Sequence, residues 1–400
     1  MTSTGQVIRL AVLSDLHAYS TAANGKEPSY LEVTEELRRA TDDPFEGLAA
    51  LISSEELKAD FLLCPGDIGD KADPKGIAHS WKRLQKVASL LGNATYVAST
   101  GNHDVDSRSI FHDCDPTDAL KRLSPPYPVF SQSEVDRYWA RYFCVSENNH
   151  CRVVSINSSA FHWLELERNR GRISRSTLEW LRADLVNRDP KDVNILLCHH
   201  HPHLHSELSK IDASYEVMRD GDRLIDLLGG GDLGQWMVVH GHKHFPSIAY
   251  SAGRSQSPVI FSCGSFSARL YMELQTRARN QFYIIEIPLD KVKDLGLVGR
   301  IFAWDWSVGK GWICPDGDSS GLTRLTPFGS KENPFSLATR LSEFLGIASF
   351  ATWDELVKGI PSLEFVLPDD LHDLERTLKT KHKLAINWQN GRPAQLGRMS

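Results

Sequence analysis

Short runs of apolar residues recur along the chain and alternate with segments of helical periodicity. The apolar runs are rich in Val, Ile, Leu and Phe, and their lengths are typical of buried strands. They lie at residues 7–13, 60–64, 95–99, 152–156, 193–198, 236–240, 259–262 and 281–287. The helical patterns lie at residues 44–57, 76–91, 174–186 and 221–228, with Ser174 as an N-cap. This alternation predicts an α/β fold in which helices cover the faces of sheets.

The chain is too long for one ordinary hydrophobic core. With 400 residues, we expect a larger domain followed by a smaller one. Pro288 and the Gly-rich stretch 296–321 change the character of the sequence, so we predict a first domain over residues 1–290 and an extension over 291–400. Helical patterns at 334–344, 352–357 and 369–378 and a strand at 383–388 predict a small α+β extension. Its core is predicted to include Trp304, Trp306 and Trp312.

Composition narrows the class of protein. A formal net charge of −6 provides no general attraction to nucleic acid or anionic lipid. The N-terminus has no secretion signal, and no apolar run approaches the ~20 residues that span a bilayer. The seven cysteines form no C-x-x-C pair, and Cys64, Cys198 and Cys263 lie in apolar runs, where cysteine packs as a small hydrophobe. We therefore expect a cytoplasmic protein without a membrane anchor.

Residues that can bind metal ions fall directly after the predicted strands. They are Asp15 and His17 after the first strand, Asp67 after the second, Asn102 and His103 after the third, His199 to His201 after the fifth, and His242 and His244 after the sixth. Because open α/β sheets place their sites at the carboxyl ends of strands, we expect these clusters to converge on one edge of a sheet. In extended segments, Asp15 would face the same way as His17, and His242 the same way as His244.

The donor groups are carboxylate, imidazole and amide oxygen, which suit Mn²⁺, Fe or Zn²⁺. The number of these donor residues exceeds the number of ligands that one ion needs. Two ions ~3.5–4 Å apart, bridged by a carboxylate and a hydroxide, would use the whole set and suit in-line displacement at phosphorus. Gly66, Gly101 and Gly241 precede ligands, as tight turns near a metal site require. The long connections 18–43 and 105–133 are expected around the mouth of the site.

Five motifs resemble, in order and approximate spacing, the signature blocks of the calcineurin-like metallophosphoesterase superfamily. They are Asp15-Leu16-His17, Gly66-Asp67, Gly101-Asn102-His103-Asp104, His200-His201-Pro202 and Gly241-His242-Lys243-His244. The segments 198–202 and 263–267 further resemble the class III cyclic-nucleotide phosphodiesterase branch. The resemblance covers residues 7 to about 287. It implies that residues 1–290 form a catalytic domain whose layered β-sandwich is flanked by helices.

The resemblance also implies a role for each motif residue. Asp15, His17 and His244 would hold one metal ion, Asn102, His200 and His242 the other, and Asp67 would bridge the two. His103 would point at a phosphoryl oxygen or the leaving group, oriented by Asp104. His200 is chosen over its neighbours because the family ligand lies two residues before a proline. Mn²⁺ is the expected ion, with Fe and Zn²⁺ as alternatives, and a metal-bridging hydroxide would attack phosphorus without a covalent enzyme intermediate.

Other polar residues near the motifs keep simpler interpretations. Asp70 could equally cap a turn or serve the site. Because the ligand set is already full, His199, His201, His203 and His205 are expected to be packed or solvated, although His201 could contact substrate. Arg269 is expected to pair with a surface carboxylate rather than bind phosphate.

The sequence therefore predicts a binuclear metal-dependent hydrolase of small phosphodiesters such as cyclic nucleotides. The first alternative is a metal-dependent nuclease acting on DNA or RNA, which the net charge of −6 disfavours. The second is a non-catalytic binding module, which the intact His103 and full ligand set disfavour. The expected partner is a small phosphoester, and the extension 291–400 is assigned to capping, homodimerisation or binding of a protein partner.

Overall fold

The computed structural model describes residues 5–22, 25–36, 38–164, 170–212, 215–251, 256–316, 320–389 and 391–399. Two compact units divide the chain: the larger comprises Ile8–Glu286 and Phe302–Arg324, and the smaller comprises Met1–Val7, Ile287–Ile301 and Leu325–Ser400. Parts of the predicted loop 18–43 and of the Gly-rich stretch 296–321 lie outside the described residues. A single domain boundary at residue 290 stays a prediction.

The strands follow the apolar runs, and further strands extend both sheets. In chain order the strands are β1 (Val7–Val12), β2 (Phe61–Cys64), β3 (Thr95–Ala98), β4 (Phe143–Glu147), β5 (Cys151–Ile156), β6 (Val193–Leu197), β7 (Trp236–His240), β8 (Ser247–Tyr250), β9 (Val259–Ser262), β10 (Gln281–Pro288), β11 (Gly299–Ser307), β12 (Gly311–Ile313), β13 (Leu325–Phe328), β14 (Phe350–Thr352), β15 (Leu384–Gln389) and β16 (Arg392–Arg398). The predicted strands are confirmed, with ends that differ by at most two residues.

The helices alternate with these strands. They are α1 (Pro44–Ser54), α2 (Pro74–Leu90), α3 (Asp118–Lys121), α4 (Gln132–Arg141), α5 (Arg175–Val186), α6 (Ser206–Ile211), α7 (Gly221–Leu228), α8 (Met272–Gln275), α9 (Leu289–Leu295), α10 (Pro334–Leu345), α11 (Trp353–Gly359) and α12 (Pro368–Thr377). The Ser174 side chain accepts a hydrogen bond from the Thr177 N–H and caps α5, as predicted. Among the described residues, no helix combines the length and apolar character that crossing a bilayer requires.

The first sheet has the strand order β12-β11-β10-β1-β2-β3. β1, β2 and β3 are parallel, with Leu10 opposite Phe61 and Leu62 opposite Tyr96. All four residues of β2 are buried, which explains why the run reads as continuously apolar rather than alternating. The loops that follow β1, β2 and β3 therefore leave the sheet at the same edge.

The second sheet has the strand order β4-β5-β6-β7-β9-β8, in which β5, β6, β7 and β9 are parallel. Helices α5 and α7 cover one of its faces. Leu181 of α5 and Leu224 of α7 are fully buried in one cluster with Leu196 and Val238 of the strands. The layered α/β architecture predicted from the alternation of strands and helices is confirmed.

Two serines join the sheets where β3 lies against β5. The Ser99 hydroxyl donates to the Ile156 carbonyl at 2.7 Å, and the Ser155 hydroxyl donates to the Ala98 carbonyl at 2.6 Å. The metal-capable residues after β1, β2 and β3 therefore belong to the first sheet, and those after β6 and β7 belong to the second. The expectation of convergence on one edge of a single sheet was wrong, because the site lies where the edges of two sheets meet.

The tryptophans predicted for the extension lie instead in the larger unit. The Trp304 ring contacts Phe282, and the Trp312 ring lies 5.0 Å from the Phe266 ring between centroids. Trp306 pairs with Trp312 across the antiparallel strands β11 and β12. All three are buried, so the sequence interpretation of their position was wrong. Their spacing reflects the register of this strand pair, which the change in composition near residue 290 does not reveal.

The C-terminal part of the smaller unit is an α+β module, as predicted. Helices α10, α11 and α12 pack with a three-stranded antiparallel sheet of order β14-β16-β15. Its core includes the fully buried side chains of Leu341, Leu356, Leu374 and Leu396. Helix α11 begins with a capping box in which Thr352 and Glu355 satisfy each other's backbone N–H groups.

Candidate metal centre

The proposed ligands lie in sharply bent loops rather than in extended segments. Left-handed backbone occurs at Asp15 (φ 54°), His17 (φ 49°), Asp67 (φ 52°), His242 (φ 84°) and His244 (φ 55°). This conformation is uncommon for residues other than glycine, and such strained residues cluster at functional sites. Asp15-x-His17 and His242-x-His244 are therefore not extended segments, so the alternation of side chains along a strand does not apply to these pairs. Bends in these loops, not strand alternation, bring each pair to the site.

Hydrogen bonds between loops hold the bent backbone in place. The Asp15 N–H donates to the Gly66 carbonyl at 3.1 Å, and the His17 N–H donates to the Asp67 carbonyl at 3.0 Å. The His242 N–H donates to Asp15 Oδ1 at 3.0 Å. The loops after β1, β2 and β7 are therefore mutually supporting, which positions their side chains before any ligand binds.

Two of the predicted glycines are required by close approach to ligands. A Cβ atom at Gly101 would lie 2.0 Å from Asp67 Oδ1, and one at Gly241 would lie 2.3 Å from Asp15 Oδ2. Real Cβ atoms do not approach other atoms so closely. The backbone at Gly101 and Gly241 therefore lies directly against the Asp67 and Asp15 carboxylates, where no side chain fits.

The first group of donors consists of Asp15, His17 and His244. Their ligand atoms all lie within 4.8 Å of one another. His17 Nε2 is 3.1 Å from His244 Nε2, and His244 Nε2 is 3.5 Å from Asp15 Oδ1. Asp15 and His17 are buried, so these nitrogen and oxygen atoms converge on a small volume that is largely shielded from solvent.

The second group of donors surrounds the amide oxygen of Asn102. His199 Nε2 and His242 Nδ1 each lie 3.0 Å from Asn102 Oδ1. Asp67 Oδ2 is 3.3 Å from His199 Nε2 and 3.7 Å from His17 Nε2. The Asp67 carboxylate therefore lies between the two groups.

His200, the residue chosen from the sequence, has a different environment from His199. His200 Nδ1 lies 2.9 Å from the Ser158 hydroxyl, and a Cβ atom at Gly171 would lie 2.3 Å from the same nitrogen. The Nε2 atom of His200 is buried without a hydrogen-bond partner among the described residues. His200 also belongs to a possible donor group with His199 and His242. However, it is His199 whose ring nitrogen faces both Asp67 and Asn102.

The carboxylate that contacts the His103 ring is Asp70. Asp70 Oδ1 lies 3.0 Å from His103 Nδ1 and 3.6 Å from His17 Nδ1. Asp104, expected to orient His103, instead accepts hydrogen bonds from the backbone N–H groups of Gly69 and Gly101, each at 2.9 Å. Asp104 thus fixes the loops after β2 and β3, and Asp70 fixes the imidazole. In the sequence, the position of Asp70 three residues after Asp67 is equally consistent with a turn cap and with a site residue.

Burial and charge set the protonation of these groups. Burial alone would lower the pKa of His103, but Asp67 and Asp70 outweigh burial and raise it to about 9. Burial alone would raise the pKa of Asp67, but His199 and His103 hold it well below its usual value. At His242 burial dominates and the pKa is well below that of free histidine. A charged carboxylate and a neutral imidazole are the forms that bind metal.

The donor set fits divalent metal ions. Asp15 and Asp67 are fully buried carboxylates, and buried charges are normally paired with cations or coordinated to metal. Imidazole nitrogen, carboxylate and amide oxygen together suit Mn²⁺, Fe or Zn²⁺ and not soft ions such as Cu(I). These groups open into a cleft of about 690 Å³. The cleft therefore gives a substrate direct access to both donor groups.

The cations along this cleft are already paired. Lys243 Nζ lies 3.0 Å from Asp212 Oδ2, and Arg269 forms a 2.5 Å ion pair with Glu27. The Arg269 guanidinium also lies over the Tyr30 ring at 3.9 Å. The prediction that Arg269 pairs with a surface carboxylate is confirmed. The cleft therefore offers a bound phosphoester little positive charge beyond what metal ions would bring.

Family comparison identifies two parts of the chain. A family described as calcineurin-like phosphoesterase matches residues 8–246. A second family, described as wHTH-Calcineurin_assc, matches residues 326–380. The second match covers helices α10, α11 and α12. A search of curated proteins found no match.

Comparison with solved structures also matched three proteins at 10–12% identity. A purple acid phosphatase from yellow lupin (Lupinus luteus) seeds has a TM-score of 0.46 at 11% identity, over 77% of this chain and 53% of the phosphatase. PhoD has a TM-score of 0.46 at 10% identity, over 81% of this chain and 70% of PhoD. NAD nucleotidase of Haemophilus influenzae has a TM-score of 0.37 at 12% identity, over 79% of this chain and 54% of the nucleotidase. The chain thus spans about half the length of two of these proteins.

Proposed function

The chain belongs to the calcineurin-like phosphoesterase family, and from that premise we propose that it hydrolyses phosphodiester bonds of small substrates, cyclic nucleotides among them. The observation that carries the proposal is the position of Asp67 between two groups of donors. Its Oδ2 atom lies within 4 Å of a ring nitrogen from each group. Such an arrangement supports two divalent ions that share one carboxylate.

We assign the ligands from the contacts rather than from the motif alone. Asp15, His17 and His244 would hold one ion, Asn102, His199 and His242 would hold the other, and Asp67 would bridge them. His199 replaces His200 in this assignment because its Nε2 faces both Asp67 and Asn102. The His200 ring lies 4.7 Å from that of His242, and its Nδ1 atom lies 2.9 Å from the Ser158 hydroxyl.

The role of the protein side chains follows from this geometry. When bound, two divalent ions polarise the phosphoryl group and acidify a water molecule, which supplies the nucleophile. His103 lines the cleft beside Asn102 and is held by Asp70, so its ring can deliver a proton to the departing oxygen. The bent backbone of the ligand loops fixes these groups in advance, which lowers the cost of reaching the transition state.

Substitution of His199 and His200 separately tests the ligand assignment. We expect His199→Ala to reduce the bound metal from two ions toward one per chain and to remove most activity, because a direct ligand is lost. We expect His200→Ala to retain two ions and to lose less activity, because it leaves a cavity beside the His242 ring rather than removing a proposed ligand. Metal content after gel filtration measures the difference. Loss of an ion from His200→Ala alone, with His199→Ala fully loaded, would restore the assignment made from the sequence.

A comparison of two nitrophenyl esters tests the diester preference. A monoester dianion gains from extra Arg or Lys side chains, and here both cations along the main cleft are neutralised by carboxylates. We therefore expect kcat/KM for bis-(p-nitrophenyl) phosphate to exceed that for p-nitrophenyl phosphate by about tenfold, a difference of ~1.4 kcal/mol in transition-state stabilisation. Both substrates release the same chromophore, so one assay measures both. A higher kcat/KM for the monoester would contradict the diester preference and indicate a monoesterase.

A nuclease is the second candidate, because residues 326–380 match the winged helix-turn-helix family. In helix-turn-helix proteins the second helix presents its N-terminal residues to DNA. Helix α12, the last helix of the matched segment, has Asp369 and Asp370 in its first turn. These carboxylates would repel phosphates, so the module supports a small substrate better than DNA. Faster cleavage of DNA or RNA than of every small diester at physiological salt would favour the nuclease.

A further inference from the structure

A second cleft adjoins the metal centre on the side of His103. It has a volume of about 260 Å³ and shares Asn102 and His103 with the main cleft. Beyond His103 its walls include Lys71, Arg108 and Ile110. A substrate whose phosphorus lies at the metal centre can therefore extend in two directions, and His103 stands at the entrance to the smaller one.

The wall that carries Arg108 is a folded loop. The Asp106 carboxylate accepts hydrogen bonds from the backbone N–H groups of Ile110 at 2.9 Å, Phe111 at 2.7 Å and His112 at 3.0 Å. Asp106 is buried, and these three donors occupy its charge. The loop is thereby folded around Asp106, and Arg108 is displayed on its exposed side.

Charge distinguishes this cleft from the main one. Lys243 and Arg269 of the main cleft are each neutralised by a carboxylate. Lys71 and Arg108 are exposed, and in the described part of the chain neither forms an ion pair. Two cations without partners at the walls of a small cleft attract an anion, and Arg and Lys together bind phosphate oxygens well.

We propose that the smaller cleft binds the departing arm of the diester and that Lys71 and Arg108 recognise a second phosphate on this arm. The inference rests on the proposed function, because it assumes a diester at the metal centre. In the reaction, the oxygen of water forms a new bond to phosphorus, the water releases a proton to solvent, and the bond from phosphorus to the arm breaks. The arm then leaves as an alcohol that carries its phosphate and takes a proton from His103.

The size of the cleft limits the arm. Pockets for drug-sized ligands begin at roughly 300 Å³, and this cleft is smaller. A short phosphorylated alcohol of about three carbons fits the volume and places its phosphate beyond His103, where Lys71 and Arg108 lie. Among small diesters, the class that would use this cleft is therefore a short diester with a terminal phosphate on the leaving side.

Two matched diesters test the proposal: glycerophosphoglycerol and the same diester with a terminal phosphate on one glycerol. We expect the wild-type kcat/KM to be about tenfold higher for the phosphorylated diester, since charge-assisted hydrogen bonds add binding energy. Lys71→Gln and Arg108→Gln should each reduce this ratio, and the double variant should bring it close to one. A ratio between substrates is independent of the fraction of folded enzyme. The control Arg175→Gln, which removes an exposed arginine paired with Glu179, should leave the ratio unchanged.

The products report the direction of cleavage. Departure of the phosphorylated arm gives two molecules of glycerol phosphate, whereas departure of the other arm gives glycerol and glycerol bisphosphate. We expect the first pair, identified by mass spectrometry. Equal kcat/KM for the two diesters, an unchanged ratio in the double variant, or the second product pair would each overturn this inference while leaving the diesterase proposal intact. Cleavage of p-nitrophenyl phosphate without cleavage of either diester would instead overturn the proposed function, and this inference with it.

Discussion

Removal of divalent metal ions is expected to abolish phosphoesterase activity, and Mn²⁺ is expected to restore it. Asp15 and Asp67 are buried carboxylates whose positions are fixed by backbone N–H donors, and buried charges of this kind are normally paired or coordinated to metal. Without the ions, neither the acidified water nor the charge that offsets the developing negative oxygens is present. The expected loss of turnover is therefore the whole rate enhancement that the site provides. Turnover of bis-(p-nitrophenyl) phosphate before and after exhaustive chelation measures it, with metal content determined in the same samples.

The controls separate loss of chemistry from loss of structure. Chelated protein should keep its secondary structure by circular dichroism, because the sheets and helices have their own cores away from the ligands. Addition of Mn²⁺ should then restore turnover without a refolding step, and Zn²⁺ and Fe²⁺ serve as comparison ions. Full turnover in protein that holds no metal would eliminate the binuclear mechanism.

His103→Ala is expected to lower kcat by ~10²–10⁴ for a diester with an alkyl leaving group, the usual magnitude for loss of a general acid. Because the His103 ring contacts Asp70 and the proposed ligands do not require it, two metal ions should remain bound. The loss should be smaller when p-nitrophenolate departs, since that anion needs little protonation. Measurement of kcat with both leaving groups therefore distinguishes proton delivery from a general loss of site geometry.

His150→Ala is a matched control for this variant. His150 also pairs with an aspartate, Asp192, at 2.7 Å, and its side chain is 35% exposed, compared with 33% for His103. It lines none of the described clefts, so kcat should remain within about twofold of wild type, as for most surface substitutions. If His103→Ala instead lost a metal ion, His103 would be a ligand and a different group would supply the proton.

Much of the fold follows from local patterns in the sequence. Runs such as Phe61–Cys64 and Trp236–His240 are apolar at every position except the final His240, and a strand buried on both faces requires that pattern. Helices α5 and α7 repeat apolar residues at helical spacing because each covers a sheet with one side. These features depend only on neighbours along the chain, so they could be predicted. Strands such as β4 and β8, at the edges of the second sheet, lack so strong a pattern and were missed.

The motifs also determined the identity of most site residues. Asp15, His17, Asp67, Asn102, His242 and His244 come together in the structure as the sequence indicated, and Gly101 and Gly241 have the close contacts expected of them. Residue type and spacing suffice here because each motif directly follows a strand, where the position of the loop is set by the sheet. The bending of these loops, with positive φ at five of the ligands, was not apparent, because left-handed backbone at aspartate and histidine depends on bonds to other loops.

Where two residues in the sequence could serve the same role, only the tertiary structure decided which one faces the partner. His199 and His200 are neighbours in one run, and their roles differ because one ring faces Asp67 and the other faces Ser158, which lies 42 positions away in sequence from His200. Asp70 rather than Asp104 contacts His103, although Asp104 is adjacent in the chain. Likewise, Lys243 and Arg269 form ion pairs, whereas Lys71 and Arg108 form none with the residues that the structure describes. No local sequence pattern indicates an ion pair between distant loops. The sequence determined the chemistry available to this protein, and packing between its two larger sheets determined how that chemistry is arranged.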